Sequence, residues 1–226
     1  KMANGHALCD IKSFYDMMEW DILVKGALKY GFPARVLFLE LQVCTGPRML
    51  AQFDATSQPF QATRSIIQGL RSGTRFARCM TNKIMEVVTT ANPMLSERLW
   101  IDDLSQSAVG SPIAVENALV NGITAVSDAM LAESLELAPK STVTCSDMRT
   151  AKDIVRRLQR RGITVQLTKQ APYLGVDLGS GCRLARVTRT KRIQQTKFQH
   201  GKLSRFAASS RRFKILIDID NFQFLG

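Results

Sequence analysis

The chain has 226 residues, of which 45% are hydrophobic, and a formal net charge of +12 at pH 7. Its longest apolar runs are far too short to cross a bilayer, and its scattered cysteines with only two histidines do not form a zinc-site pattern. The excess of positive charge favours a polyanionic partner, with nucleic acid ahead of an anionic membrane surface.

The cysteines indicate a reducing compartment. They contain no C-x-x-C pair and are expected to be free thiols. No N-terminal segment has the pattern of a signal peptide. We therefore expect an intracellular protein, in the nucleus or the cytoplasm, with no membrane partner.

The first predicted elements place a carboxylate at the end of a strand. A short buried strand runs into Asp10, and a helix follows that ends at Gly31 and Pro33. Helix capping is the alternative role for Asp10, because aspartate is frequent at helix N-termini. Residues 36–43 alternate well enough to predict a strand, paired with residues 49–53 across a turn, and residues 64–68 predict another short strand.

A glycine-rich stretch follows at residues 69–76. Gly69 and Gly73 flank the basic residue Arg71, and a helical pattern comes next. Glycines at such a junction let the backbone approach a ligand closely, and the N–H groups at a helix N-terminus bind phosphate. An ordinary loop is the alternative interpretation.

Two adjacent carboxylates, Asp102 and Asp103, lie between apolar residues in the segment LWIDDL. Like charges side by side repel, and their desolvation is costly unless a cation lies between them. A tight turn at these residues would place both carboxylates at the tip of a hairpin, where hard oxygen ligands suit a divalent metal. A solvated turn is the alternative, since aspartate is common in turns.

The second half of the chain predicts a long helix over residues 115–137 and a strand at residues 142–144. A helix over residues 149–161, capped by Ser146, has a basic outer face and precedes a strand at residues 163–167. The order of these elements predicts an α+β fold with helices packed on an antiparallel sheet.

The composition becomes strongly basic after residue 183. Residues 191–206 predict a basic helix, and residues 207–212 predict a linker. We expect two regions, a first domain over residues 1–180 and a basic region over residues 181–226.

Carboxylates from two separate strands, with a glycine-rich loop between them in sequence, form a pattern typical of phosphoryl transfer. Such carboxylates jointly hold two divalent cations, and the reaction needs little beyond positioning and charge.

Four motifs in this order resemble the palm of reverse transcriptases, particularly those of retroelements without long terminal repeats. The segment DIKSFYD at residues 10–16 resembles motif A, and GLRSGTRFAR at residues 69–78 resembles motif B. WIDD at residues 100–103 resembles motif C, and Leu174-Gly175 resembles the turn of motif E. The resemblance covers about residues 4–180 and implies a polymerase palm, followed by the start of a basic helical thumb.

The resemblance also implies roles for individual residues. The metal ligands would be Asp10, Asp102, Asp103 and the backbone carbonyl of Ile11. Tyr15 would exclude the sugar 2′-hydroxyl of an incoming nucleotide, and Lys140 would match a motif D lysine that protonates pyrophosphate. The further nucleotide-binding residues would be Phe14, Gly69, Arg71 and Gly73. The nucleic-acid-binding residues would be Arg75, Arg78, Arg156, Arg157, Leu174, Gly175, Lys191 and Arg192.

The implied activity is RNA-directed DNA polymerisation. Two Mg²⁺ ions, or Mn²⁺, would support nucleotidyl transfer from a dNTP to a DNA primer on an RNA template. The fingers and the rest of the thumb would be supplied by the full-length protein.

The motif matches are incomplete. Ser72 stands where motif B usually has glutamine, and Ala77-Arg78 stand where it has Ser-Pro. These departures bear on nucleotide selection and template contact. Two other classes also stay open. One is a catalytically incomplete retroelement remnant that only binds RNA or DNA through its basic residues, and the other is an RNA-directed RNA polymerase with the same palm.

Overall fold

The computed structural model describes residues 2–173, 176–179 and 187–209. The strands are β1 (Ala3–Asp10), β2 (Ala51–Gln52), β3 (Ala55–Thr56), β4 (Ser96–Trp100), β5 (Asp103–Gly110), β6 (Thr142–Cys145), β7 (Gln166–Leu167), β8 (Gln170–Tyr173) and β9 (Val176–Gly179). The helices are α1 (Phe14–Met17), α2 (Trp20–Lys29), α3 (Ala34–Thr45), α4 (Gly73–Ala91), α5 (Pro112–Ala132), α6 (Met148–Arg160) and α7 (Val187–Ser209).

The central element is a five-stranded sheet in the order β4-β5-β1-β6-β7. The first four strands pair antiparallel, and only β7 runs parallel to its neighbour β6. Helices α5 and α6 pack against β1, β5 and β6. The prediction of an α+β fold, with an antiparallel sheet packed on helices, is confirmed.

Strand β1 divides its side chains between two environments, because successive residues point to opposite faces of a sheet. One set is buried against the helices: Ala3, Gly5, Ala7 and Cys9. The other set lies on the opposite face and is exposed or half-buried: Asn4, His6, Leu8 and Asp10. We call this second face the carboxylate face.

Helices α5 and α6 form the layer behind the sheet. Ser111 caps α5 by accepting a hydrogen bond from the Ala114 N–H at 3.3 Å. The cap of α6 is Asp147, which accepts from the Thr150 N–H at 3.0 Å. The prediction of Ser146 as this cap is wrong, because the Ser146 hydroxyl instead accepts a hydrogen bond from the Asn4 N–H of β1.

Residues 36–43 are helical, so the predicted strand there is wrong. They lie in α3, whose buried residues are Leu37, Leu41 and Cys44, at the spacing of one helical face. Residues 64–68 are also not a strand and run as irregular backbone alongside the end of α1, where the Ile66 N–H donates to the Tyr15 carbonyl. The expected partner at residues 49–53 forms part of the short β2–β3 hairpin.

Gly5 is required by close packing. A Cβ at this position would lie 2.7 Å from side-chain carbons of both Val115 and Leu119, and 2.9 Å from the sulfur of Cys145. We expect Gly5→Ala to lower the free energy of unfolding by about 1–3 kcal/mol, because overpacking exceeds the gain from removing a strand glycine. Urea denaturation measures this difference. Gly110→Ala is the control, since its Cβ would meet only Ala114 at an ordinary 3.5 Å, and equal stabilities of the two variants would contradict the packing argument.

The described residues fall into two compact units, the first containing residues 2–171 and the second containing α7. Helix α7 confirms the predicted basic helix at residues 191–206, but it extends to Ser209 and so includes the first part of the predicted linker. The division into domains at residue 180 stays a prediction. In the part of the chain that the structure describes, no helix is long and apolar enough to cross a bilayer.

Candidate active site

Asp10 and Asp103 lie side by side on the carboxylate face. Asp10 is the last residue of β1, Asp103 is the first residue of β5, and the two are direct partners in the antiparallel register. Direct partners in such a ladder point to the same face, with Cβ atoms about 4.5–5.5 Å apart. The chain therefore brings together two carboxylates that are 93 positions apart in the numbering.

A two-residue turn, Ile101-Asp102, joins β4 to β5. The predicted hairpin is confirmed, but its turn lies one residue earlier than expected, because Asp103 already pairs with Trp100 in the ladder. Ile101 has a φ of 59°, a conformation that is unfavourable for a β-branched residue. The turn therefore holds Asp102 beside the carboxylate pair at the expense of backbone strain.

A segment that contains Ala138 and Ser141 fixes the backbone of Asp10. The Asp10 carbonyl accepts a hydrogen bond from the Ala138 N–H at 2.8 Å, and the Asp10 N–H donates to the Ser141 hydroxyl at 3.1 Å. Ser141 is buried. Sequence reasoning did not find this residue, since a serine 131 positions away from Asp10 gives no local signal.

Lys140 belongs to the same segment and pairs with the Asp10 side chain, with its Nζ 2.9 Å from Oδ2. Hydrogen bonding to Asp10, together with the charges of Asp10, Asp102 and Asp103, raises the pKa of Lys140. Lys140 is thus the cation that faces all three carboxylates, although its side chain is 72% exposed.

Asp103 is electrostatically unfavourable as a free carboxylate. Burial raises the pKa of Asp103, and the charges of Asp102 and Asp10 raise it further, with Lys140 acting in the opposite direction. A group with a raised carboxyl pKa resists ionisation, so a bound cation would relieve the repulsion.

Tyr15 stands beside this cluster. Partial burial raises the pKa of its phenol, and the negative charge of Asp102 contributes in the same direction. A Cβ on Gly73 would lie 3.9 Å from Cε1 of Tyr15, so residues of the predicted motifs A and B meet at this ring. Phe14 is buried in the core, edge-on to Tyr15 at 5.4 Å between ring centroids. Its ring therefore supports Tyr15 from below.

The glycine-rich stretch is a loop that leads directly into α4. Gly69 has a φ of 91°, and Gly73 begins the helix. Arg71 is exposed, whereas Ser72 is buried and its hydroxyl donates to the Glu40 carboxylate at 2.6 Å. The residue that departs from motif B thus joins α4 to α3.

The predicted nucleic-acid-binding residues have different surroundings. Arg75 and Arg78 are exposed on α4, and Lys191 and Arg192 are exposed on α7. Leu174 and Gly175 lie outside the described residues. The remaining two are engaged within the protein. Arg156 pairs with Asp153 at 3.0 Å, and Arg157 bonds to Glu116 at 2.8 Å and Asn117 at 2.7 Å.

The described ranges contain no group of three His, Cys, Asp or Glu side chains already converged around a metal position. The donor chemistry nevertheless fits a hard divalent cation, because three carboxylates share one end of the sheet. The Ile11–Leu137 bridge is closed by hydrogen bonds of the flanking residues Asp10 and Lys12. The Ile11 carbonyl therefore takes no part in that bridge.

The five-stranded sheet packed on helices gives this chain a fold that is similar to part of a telomerase structure. A particular protein with a similar fold is apo telomerase from Candida tropicalis, truncated from its C-terminal domain. The similarity covers 79% of this chain and 34% of that chain, with a TM-score of 0.51 and 11% sequence identity. This chain thus spans about a third of that protein's length. No family model and no curated protein matches the sequence.

Proposed function

We propose that this chain is the palm of an RNA-directed DNA polymerase of a retroelement without long terminal repeats. It would transfer a nucleotide from a dNTP to the 3′-hydroxyl of a DNA primer paired with an RNA template. The observation that carries the proposal is the register pairing of Asp10 with Asp103, beside the turn that holds Asp102. The reverse-transcriptase-type fold supports it.

Asp10, Asp102 and Asp103 would hold two Mg²⁺ ions, or Mn²⁺, with the Ile11 carbonyl as a further ligand. The bound ions would supply activation of the attacking hydroxyl and stabilisation of the leaving pyrophosphate. The raised pKa of Asp103 supports this assignment, because a site built for cations leaves carboxylates uncompensated in their absence.

The other residues would position the reactants. The ring of Tyr15 would lie under the sugar of the incoming nucleotide, beside Gly73 at the start of α4. The Ser141 hydroxyl and the Ala138 N–H fix the Asp10 backbone, so the carboxylate at the end of β1 keeps its place. Such fixed positioning is what phosphoryl transfer demands of a protein.

The direct test is incorporation of labelled dNTPs on a primed RNA template with Mg²⁺ or Mn²⁺. Incorporation by the wild-type protein that disappears in Asp102→Ala would support the proposal. Incorporation that persists in Asp102→Ala would show that this carboxylate is not a ligand. Absence of incorporation by the full-length protein that contains this palm would reject polymerase activity.

Lys140 provides a second prediction. If it donates a proton to pyrophosphate, Lys140→Arg should lower the single-turnover incorporation rate about 100-fold, because a guanidinium keeps its charge but does not release a proton. Lys140→Ala should lower the single-turnover incorporation rate by a similar factor. Rapid-quench kinetics at saturating dNTP measures both variants. Full activity in Lys140→Arg together with a loss in Lys140→Ala would assign Lys140 the role of a charge partner for Asp10 instead.

A further inference from the structure

The outer surface of α6 carries a row of basic side chains. Its members are Arg149, Lys152, Arg156 and Arg160, which we call the α6 stripe. All four residues are exposed. At 3.6 residues per turn, they lie within a sector of about 80° and span about 16 Å along the helix axis. The buried residues of α6 face the opposite side, toward the core: Thr150, Ala151, Ile154 and Leu158.

Only part of the α6 stripe stabilises the helix itself: Arg156 pairs with Asp153, and Arg160 lies in the last turn, where a cation favours the macrodipole. Lys152 and Arg156 are separated by four positions, as are Arg156 and Arg160, so like charges are neighbours on the helix surface and repel. Arg149 lies in the first turn, where a cation opposes the helix macrodipole. Asp153 is the one acidic residue of α6, so a single carboxylate offsets the four cations of the stripe.

Among the described residues, three of the four stripe cations have no ion-pair partner. Arg156 pairs with Asp153, but across the described ranges no carboxylate lies within ion-pair distance of Arg149, Lys152 or Arg160. Arg157 on the flank of α6 differs from these residues, because its side chain donates hydrogen bonds to Glu116 and Asn117 of α5. That contact attaches α6 to α5, whereas the stripe lies on the side of α6 opposite its buried residues.

The stripe is separate from the candidate active site. Helix α6 packs beside α5 on β6. The side chain of Cys145 on β6 lies toward α5, since a Cβ on Gly5 would meet both Cys145 and the α5 residues Val115 and Leu119. Asp10 and Asp103 lie on the carboxylate face, on the other side of the sheet. A nucleic acid bound to the stripe would therefore lie on the opposite side of the sheet from a primer end bound at Asp10.

The chemistry of the stripe selects a regular polyanion. Its length is about 16 Å, and one strand of a duplex carries one phosphate per 3.4 Å of duplex axis, so several phosphates lie within the length of the stripe. Helix α6 has no aromatic residue, and a surface without aromatic side chains offers no platform on which unpaired bases stack. Phosphate contacts position a nucleic acid without reading its sequence. We propose that the α6 stripe binds the phosphate backbone of a nucleic-acid duplex, independently of sequence and of divalent metal.

Fluorescence anisotropy with a short labelled RNA duplex tests this proposal in EDTA over a series of salt concentrations. The test variant is Arg149→Gln/Lys152→Gln/Arg160→Gln, in which glutamine preserves helix propensity and circular dichroism verifies folding. Loss of three phosphate contacts should make the slope of log K against log salt shallower by about 2 to 3. The control removes three exposed cations elsewhere, in Lys25→Gln/Arg35→Gln/Lys169→Gln.

Equal slopes for the stripe variant and the control variant would overturn the proposal. The proposal would also be overturned if the stripe variant bound the duplex as the wild-type protein does but lost binding to phosphatidylserine vesicles. That result would assign the stripe to a membrane surface. The inference goes beyond the proposed polymerase activity and does not depend on it. Because the measurement is made without divalent metal, it reports duplex binding whether or not the protein incorporates dNTPs, so failure of either proposal can be told from failure of the other.

Discussion

Asp10→Asn is expected to abolish dNTP incorporation, with a loss of at least about 1000-fold, equivalent to about 4 kcal/mol of activation free energy. Asparagine has nearly the same shape as aspartate but no charge, so the three carboxylates at this end of the sheet become two. The measurement is the initial rate of incorporation on a primed RNA template.

The fold should survive this substitution. Asp10 is fixed through its backbone by Ala138 and Ser141, and neither hydrogen bond involves the carboxylate. The ion pair lost with it joins Asp10 to a Lys140 side chain that is largely exposed, so it contributes at most about 1 kcal/mol. Asp128→Asn, an exposed carboxylate on α5, is the matched control and should retain activity. Asp10→Asn with more than a tenth of wild-type activity would remove Asp10 from the site.

Tyr15→Ala is expected to relax sugar selection. If the Tyr15 ring excludes a 2′-hydroxyl by contact, its removal should reduce the preference for dNTP over rNTP by about 10- to 200-fold, the range for losing one steric contact. The measurement is the ratio of kcat/KM for the two nucleotides on the same primed template.

Tyr15→Phe provides the control for this prediction, since it keeps the ring and its edge-on contact with Phe14 while it removes the hydroxyl. This variant should keep the wild-type preference. A wild-type protein that already uses rNTPs as well as dNTPs would contradict the gate and favour an RNA-directed RNA polymerase. If Tyr15→Ala left the ratio of kcat/KM for dNTP and rNTP unchanged, the Tyr15 ring would not contact the sugar of the nucleotide.

Local patterns were sufficient to predict β1, the hairpin around Asp102, helix α6 and most of helix α5. In each of these elements the buried residues follow the period of the element, so a short window of sequence contains the signal. The predicted end of α5 at residue 137 is wrong, because the helix ends at Ala132 and Leu137 forms a β-bridge with Ile11. Helix α3 was predicted as a strand because its exposed side includes Phe38, Leu39 and Val43. These apolar residues obscure the helical spacing of Leu37, Leu41 and Cys44.

The arrangement of the candidate site could be predicted only in part. Asp10, Asp102 and Asp103 were selected by their positions at strand ends, and the structure places Asp10 opposite Asp103. The contacts of Asp10 with Lys140 and Ser141 depend on tertiary folding across about 130 positions, which no local pattern encodes. The burial of Phe14 and the bond of Ser72 to Glu40 likewise depend on how helices pack after they form.

The alternation along β1 also has an evolutionary consequence. Ala3, Gly5, Ala7 and Cys9 are buried on the side of β1 that carries the helices, so drift at these positions costs stability. His6 and Leu8 stand in the same strand but face the other way, toward the side that carries Asp10. Changes at these two positions can alter what the face touches while leaving the core intact. One strand thus holds two sets of residues that are free to evolve under separate selection, one for folding and one for chemistry.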